Sequence, residues 1–260
     1  MKEIIEKTLE VIRGTIPAVL CLVVETKGST PRKAGSRMLV FPDGSVNGSV
    51  GGGSVEREVI RIALEVMGKG IPEKRTFQLE SDLEMHCGGY MEVFIEPVNP
   101  APKLYVFGAG HIGRAIVRYA RDFGFTVTVI DHREGIFRDT LFAGCTILNQ
   151  DYFTAIGTLS FDQLTYCVIV TPKHEFDEQI LGTVAHLEHA YIGMLGSERK
   201  VAVARKHFLE AGTLTEGQLD AIDMPIGIPF HAETPEEIAI SILAKLIDVK
   251  NRRMNPRNKK

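Results

Sequence analysis

Two α/β units in series are predicted: a small mixed α/β domain over residues 1–99, then a Rossmann-like parallel-sheet domain over 100–260. Three observations point there. The chain of 260 residues has room for two modest cores. The stretch "VNPAPK" (98–103) carries two prolines and reads as a linker. Beyond it, apolar strand-like runs alternate with segments of helix length, which implies a parallel sheet with right-handed crossovers.

The elements follow in order. Ile4, Ile5, Leu9 and Ile12 recur at helical spacing, so an amphipathic helix opens the chain and ends near Gly14. "PAVLCLVVET" (17–26) is β-branched and continuously apolar, a strand covered on both faces. "KGSTPRKAGS" (27–36) is a loop, "RMLVF" (37–41) a strand and "PDGS" (42–45) a tight turn. A triple glycine precedes a helix from about Val55 to Met67, with Ile60, Leu64 and Met67 on one side. "KRTFQLE" (74–80) and "YMEVFIEPV" (90–98) read as strands flanking the loop 81–89.

In the second unit, "LYVFGAG" (104–110) runs from strand into glycines, followed by a helix (111–123) and the strand "TVTVID" (126–131). The strand "CVIVTP" (167–172), a helix over 176–189 and the strand "AYIGML" (190–195) continue the alternation. A closing helix (234–249) has Thr234 as cap, Pro235 in its first turn and acids behind it.

Composition excludes several classes of function. A formal charge of −3 gives no reason to expect nucleic acid or an anionic membrane as partner. The basic tail 250–260 is short, broken by Pro256, and reads as a solvated end. Four cysteines without a CxxC pair argue against a zinc ribbon or a disulfide framework. Glutamates interrupt the first fourteen residues, so no signal peptide is expected, and no run reaches a membrane-spanning length. A reduced, cytoplasmic protein is expected, with a homodimer as the default assembly.

Two glycine-rich turns compete for a ligand. In the second, Gly108, Gly110 and Gly113 follow a strand and open a helix that starts at His111, and Asp131 ends the next strand. That is the setting of a dinucleotide site, with the pyrophosphate at the helix N-terminus and Asp131 accepting from a ribose hydroxyl. His132 and Arg133 could meet an extra phosphate, so NAD and NADP both remain candidates. His174, after a strand end, is the one candidate proton donor; its plain reading is a helix entry with Asp177 as an acid in the first turn.

The first turn collects more chemistry. Arg32, Ser36 and Arg37 lie in one loop region, Gly51, Gly52, Gly53 and Ser54 open a helix, and His86, Cys87 and Gly88 fill a third loop. Arginine suits oxyanions through its planar fork, and a thiol among flexible residues suits a soft metal, so Cys87 is the candidate metal ligand. Taken singly, the glycines read equally well as mere turn formers, Arg32 as a surface residue and Cys87 as a small buried one. Jointly they are expected to converge on one pocket.

At this point the sequence resembles the XdhC/CoxI family. The resemblance is carried in order by "GSTPRKAGSRMLV", the glycine loop with "VEREV", "HCGGYMEVFIEP", "LYVFGAGHIGRAI", "VTVIDHR", "TPKHEFDEQIL", "YIGMLGSERK" and "HAETPEEIAISIL". It implies an accessory protein without turnover of its own, which binds molybdenum cofactor (molybdopterin), assists its sulfuration and passes it to a molybdenum hydroxylase apoenzyme. It further implies a cysteine desulfurase as a candidate partner. Arg32, Ser36, Arg37, the 51–54 loop and Cys87 would meet the cofactor's phosphate, oxo groups and metal. The chain departs from the family at Ser54, where many relatives have cysteine, and at Pro229 and His231, where aspartate and glycine are common. A nicotinamide-dependent oxidoreductase and a nucleotide-sensing regulatory module stand as the other readings.

Overall fold

A computed structural model describes residues 2–79, 89–138 and 140–254. The chain divides into two compact units, residues 1–101 and 102–260. The first has the mixed α/β character expected. Its elements are α1 (Lys2–Arg13), β1 (Ala18–Lys27), β2 (Arg37–Val40), β3 (Val46–Gly48), α2 (Gly53–Lys69), β4 (Glu73–Gln78) and β5 (Tyr90–Val98). The five strands form one antiparallel sheet in the order β3-β2-β1-β5-β4.

The unbroken apolar run of β1 reflects a helix on each face of that sheet. Val19, Cys21 and Val23 pack with Val55, Val59, Ile62 and Val66 of α2, while Ala18 joins Ile4 and Val11 of α1 on the other side. Two expectations shift by about one residue around the helix. In α2 the 55/59/62/66 stripe is buried, Ile60 and Met67 sit at its margin, and Leu64 is exposed. In α1, Ile4 and Val11 face the sheet, and Ile5, Leu9 and Ile12 point outwards. Both helices are apolar over a wide arc, so periodicity alone does not fix which edge of the arc meets the sheet.

The second unit starts with β6 (Lys103–Phe107), α3 (His111–Ala120), β7 (Thr126–Ile130), β8 (Thr146–Leu148) and α4 (Tyr152–Thr158). It continues with β9 (Thr165–Ile169), α5 (His174–Val184), β10 (Tyr191–Met194), α6 (Glu198–Glu210), α7 (Glu216–Ala221) and α8 (Pro235–Met254). All five strands are parallel, ordered β10-β9-β6-β7-β8. Alternate strand residues supply two cores. Leu104, Val106, Val129 and Val168 pack with Ile116 of α3 and Ile242, Leu243 and Leu246 of α8. Tyr105, Phe107, Ile169 and Ile192 pack with Tyr152, Ile180, Leu181 and Phe208 from α4, α5 and α6. This is the expected Rossmann-like layering.

The strand order reverses direction between β6 and β9, since the chain leaves β6 towards β7 and β8 and later returns on the other side. Ligands of open parallel sheets bind outside the carboxyl ends of strands at such a point. There the glycine turn after β6 and the segment Thr171–His174 after β9 are neighbours. No helix among the described residues is long and apolar enough to cross a membrane.

Candidate functional site

The first unit brings its predicted loops together as far as they are described. The chain leaves β1 through a loop that folds back on the strand, with Gly35 N–H donating to the Val23 carbonyl and Val23 N–H to that of Ser36. Inside this loop the Thr30 hydroxyl donates to the Arg32 carbonyl and that of Ser36 to the Lys33 carbonyl. Ser36 therefore spends its donor on the loop itself. Arg37 donates from Nη1 to the Gly35 carbonyl at 3.0 Å, which holds its guanidinium at the mouth of the loop.

Against this loop lies the triple glycine. A Cβ on Gly51 would stand 3.2 Å from Cγ of Pro31, so residues 31 and 51 are in contact. Gly52 and Gly53 have φ of 108° and 59°, with open space where a side chain would be. These two glycines serve backbone shape, not close packing. Gly52 is the N-cap of this 17-residue helix and gives its first turn no side-chain hydrogen bond. A polar chain sets the loop: Gly51 N–H donates to Ser49 Oγ, which donates at 2.7 Å to Glu56 Oε2.

The third loop meets the same place at its end. A Cβ on Gly89 would collide with the Ser29 carbonyl oxygen and Thr30 Cγ2, so Gly89 lies directly on the 29–30 turn. Its carbonyl accepts from Leu79 N–H at 2.9 Å. His86, Cys87 and Gly88 lie outside the described residues, as does the proposed metal contact of Cys87.

A cleft of about 460 Å³ is lined by the acid Glu3 together with Arg32, Ser36, Arg37, Asn47 and Ser49; Gly51–Gly53 and Gly89 do not line it. Asn47 reaches Glu3 Oε1 through Nδ2, and its own Oδ1 is buried without a hydrogen-bond partner. Asn47, Ser49 and Glu56 escaped the sequence reading. The three-residue strand β3 is too short to show periodicity, and the spacing of Ser49 and Glu56 is the one signal that could have paired them.

The second glycine turn is built differently. A Cβ on Gly108 would strike the Val170 carbonyl oxygen, and one on Gly113 that of Gly108. These glycines are needed for close packing of β6, β9 and α3, as the fingerprint requires of its outer members. Asp131 is wholly buried and accepts four hydrogen bonds from protein: Ala109 N–H at 2.8 Å, Arg133 N–H at 3.0 Å, Arg133 Nε at 2.9 Å and Arg133 Nη2 at 2.6 Å. Burial alone would raise its pKa, yet the Arg133 and Ala109 hydrogen bonds hold the carboxyl below its usual value. The same Arg133 Nη2 lies 3.9 Å from where a Cβ of Gly110 would be, over the glycine turn. A ribose reaching for Asp131 has to displace this guanidinium. His132 is exposed and packs edge-on to Tyr152 and Phe176.

His111 and the α3 residues Arg114 and Arg118 line a further cleft of about 490 Å³, together with Tyr119, Glu236 and Ile240. His174 opens α5, 3.6 Å from Asp177 Oδ2 and 3.3 Å from Glu178 Oε1. Asp177 accepts from Thr171 N–H at 3.0 Å and Thr171 Oγ1 at 2.7 Å, tying the helix to the end of β9. That matches the plain reading of Asp177 as a helix-entry acid. Burial pushes its pKa up, against the opposing Thr171 bonds and His174. Among the described residues no group of three His, Cys, Asp or Glu side chains is placed to hold a metal ion.

The comparisons agree with this two-part construction. The "XdhC and CoxI family" model matches residues 11–78, and the "XdhC Rossmann domain" model matches 104–246, more than half of the chain. The chain belongs to the XdhC and CoxI family. It is 35% identical over 241 residues to Uncharacterized protein YqeB of Escherichia coli (strain K12), covering 90% of this chain and 44% of that protein. It is 29% identical over 168 residues to a probable xanthine dehydrogenase subunit of Bacillus subtilis (strain 168), covering 64% and 48% respectively. The chain thus spans less than half the length of these curated relatives. A solved structure of a xanthine dehydrogenase from Bacillus halodurans shares the fold with a TM-score of 0.54 at 21% identity, covering 99% of this chain and 97% of its own.

Proposed function

We propose that this XdhC/CoxI protein is an accessory factor that binds molybdenum cofactor and passes it to an apo molybdenum hydroxylase of the xanthine dehydrogenase type. The observations that carry the reading are the contacts of Gly51 and Gly89 with the 29–31 segment and the cleft lined by Arg32, Ser36, Arg37 and Ser49. Its donor set suits the pterin's phosphate and oxygen-rich metal end. Arg32 and Arg37 line the cleft and supply guanidinium forks for an anion. A volume of about 460 Å³ falls in the range of small-molecule sites. Bound cofactor would supply the hydroxylase with its redox centre; this chain's residues would hold and shield it. The relative named as a xanthine dehydrogenase subunit supports a hydroxylase as partner. A homodimer in the cytoplasm and a cysteine desulfurase as sulfur donor complete the proposal, with Cys87 as the thiol nearest the task because Ser54 replaces the family's loop cysteine.

The test is recovery of the protein from cells that make molybdopterin, with the released pterin read as its oxidised fluorescent derivative. Arg32→Ala removes a charge-assisted contact of about 1.5–3 kcal/mol, so bound pterin should fall at least tenfold. Equal pterin in wild type, Arg32→Ala and Cys87→Ala would remove this site.

A second reading, dinucleotide binding by the C-terminal unit, rests on the Gly108–Gly113 turn. It requires Arg133 to leave Asp131, so thermal stabilisation by NADH or NADPH should increase in Arg133→Ala relative to that variant's own ligand-free baseline. No stabilisation in either form excludes it.

A further inference from the structure

The helix α1 turns only one of its two apolar rows to the sheet. Ile4 and Val11 are buried there, while Ile5, Leu9 and Ile12 face solvent. Ile16 follows in the bend after Gly14, and these four side chains are between 39% and 60% exposed. Among the described residues no other helix exposes more than two large apolar side chains. The steps along the outer row are four, three and four residues, the alternation of a coiled-coil seam. Thr8 flanks the seam on the side of the sheet, where its hydroxyl donates to the Ile4 carbonyl at 2.7 Å. Glu6 and Arg13 flank it on the other side, and both are exposed.

The charges around this face decide what fits it. The helix sets three cations, Lys2, Lys7 and Arg13, against three acids, Glu3, Glu6 and Glu10. A helix that lies on an anionic membrane has a mainly basic polar face, so a lipid surface is a poor match. A partner of one strong charge sign is matched no better. The face is, however, complementary to itself. When two copies of α1 cross antiparallel about a two-fold axis, Leu9 of each meets Ile12 of the other. Ile5 then falls against the segment after Arg13, where Ile16 is exposed. The same register sets Glu6 of each copy beside Arg13 of the other, so one axis forms two opposite-charge pairs. Arg13 has no ion pair of its own among the described residues, and Glu6 has only the exposed Lys2 at 3.8 Å. A parallel pair would instead set Arg13 beside Thr8 and leave Glu6 without a cation.

We infer that α1 docks against α1 of a second copy of this chain as an antiparallel pair, the interface marked by Ile5, Leu9, Ile12, Glu6 and Arg13. This deepens the homodimer clause of the proposed function and rests on that clause, not on the cofactor. A row this short makes an interface below about 1,200 Å², so the copies should associate at micromolar concentration. The experiment is sedimentation of the full chain at low salt, from about 1 to 200 μM. Wild type should pass from monomer to dimer across this range. Leu9→Glu should raise the dissociation constant at least about tenfold, since it sets a carboxylate in the apolar seam. Glu6→Arg and Arg13→Glu should each weaken association by placing like charges together, and the double swap Glu6→Arg/Arg13→Glu should recover it to within about threefold. All three side chains are exposed, so thermal melts matching wild type confirm that the variants are folded. A wild type that stays monomeric overturns the inference and the homodimer clause together. A dimer indifferent to Leu9→Glu overturns the inference alone, because the copies then meet through another face. Failure of the double swap to recover association overturns the antiparallel pairing. Retention of purified apo hydroxylase by a monomeric wild type, but not by Leu9→Glu, gives the face to that partner instead.

Discussion

Replacing Arg133 by alanine tests how the second glycine turn is held. The buried Asp131 carboxylate accepts from Arg133 Nε at 2.9 Å and Nη2 at 2.6 Å, and from the Ala109 and Arg133 amides. Removing one partner of a buried ion pair costs about 3–5 kcal/mol. Here the Arg133 side chain is 35% exposed and two amide donors stay in place, so water and backbone recover part of that loss. About 2 kcal/mol is expected at pH 7, or a fall in Tm of about 4–8 °C for a unit of this size. The pH dependence has a definite sign. Asp131 titrates lower in the folded chain than in the unfolded one, so its contribution is present above the unfolded value of about 3.9 and is lost as pH falls through the folded value. The gap between wild type and Arg133→Ala should stay level from pH 5 to 7 and narrow below about pH 4. Urea unfolding followed by far-UV circular dichroism measures it, since the chain has no tryptophan. A gap under about 0.5 kcal/mol at pH 7, or one that does not narrow in acid, refutes the clamp.

Other outcomes are equally specific. Gly108→Ala meets both φ of 113° and the Val170 carbonyl, so it should destabilise the C-terminal unit by about 3–5 kcal/mol, whereas Gly52→Ala, in open space, should cost about 1–3 kcal/mol from φ alone; comparable losses in urea unfolding would undo the distinction. Burial pushes the Cys21 thiol up to about 12 and raises Cys167 further, so both should resist Ellman's reagent in the folded protein and react in denaturant. Burial raises the pKa of Asp177, a contribution present below the unfolded carboxyl value and lost as pH rises through the folded one. Asp177→Asn escapes that loss and should gain on wild type as pH rises from 4 to 6; a constant difference across that range would contradict the shift.

What the sequence revealed depended on how much chain each feature spans. The alternation from β6 through β10 is long and strongly periodic, and the parallel sheet followed from it, though not the order of its strands. Shorter pieces were silent. The strands β3 and β8 have three residues each, and α4 has seven with Gly157 inside it. The helix α6 hid for another reason: its core face is only Val201, Ala204 and Phe208 in a largely charged segment, too thin a stripe to stand out. In the site, residue types were legible and their bonding was not. Asp131 ends a strand after a GxGxxG turn, a position shared by ribose-binding acids. Nothing in that spacing tells that the guanidinium two residues on is folded back onto it.

The two glycine turns look alike as strings and differ as objects. In the second, two of the three glycines are there because neighbouring backbone leaves no room for a Cβ, and the acid that faces the turn is already satisfied by protein. Such a turn is specified by packing, and it keeps its shape with no ligand present. In the first, Gly52 and Gly53 have room to spare and are required by φ alone at the start of α2, and the neighbouring cleft is lined by Arg32 and Arg37. Open space gains little from folding by itself, since no side-chain contact is formed there. A positive-φ pair of that kind is therefore the costlier one to keep without a ligand, and this asymmetry is why the cofactor is assigned to the first turn. The assignment predicts opposite mutational behaviour: alanine at Gly52 should reduce bound pterin more than it reduces stability, and alanine at Gly108 should do the reverse. Loss of pterin in step with Tm at both positions would show that neither glycine faces a ligand.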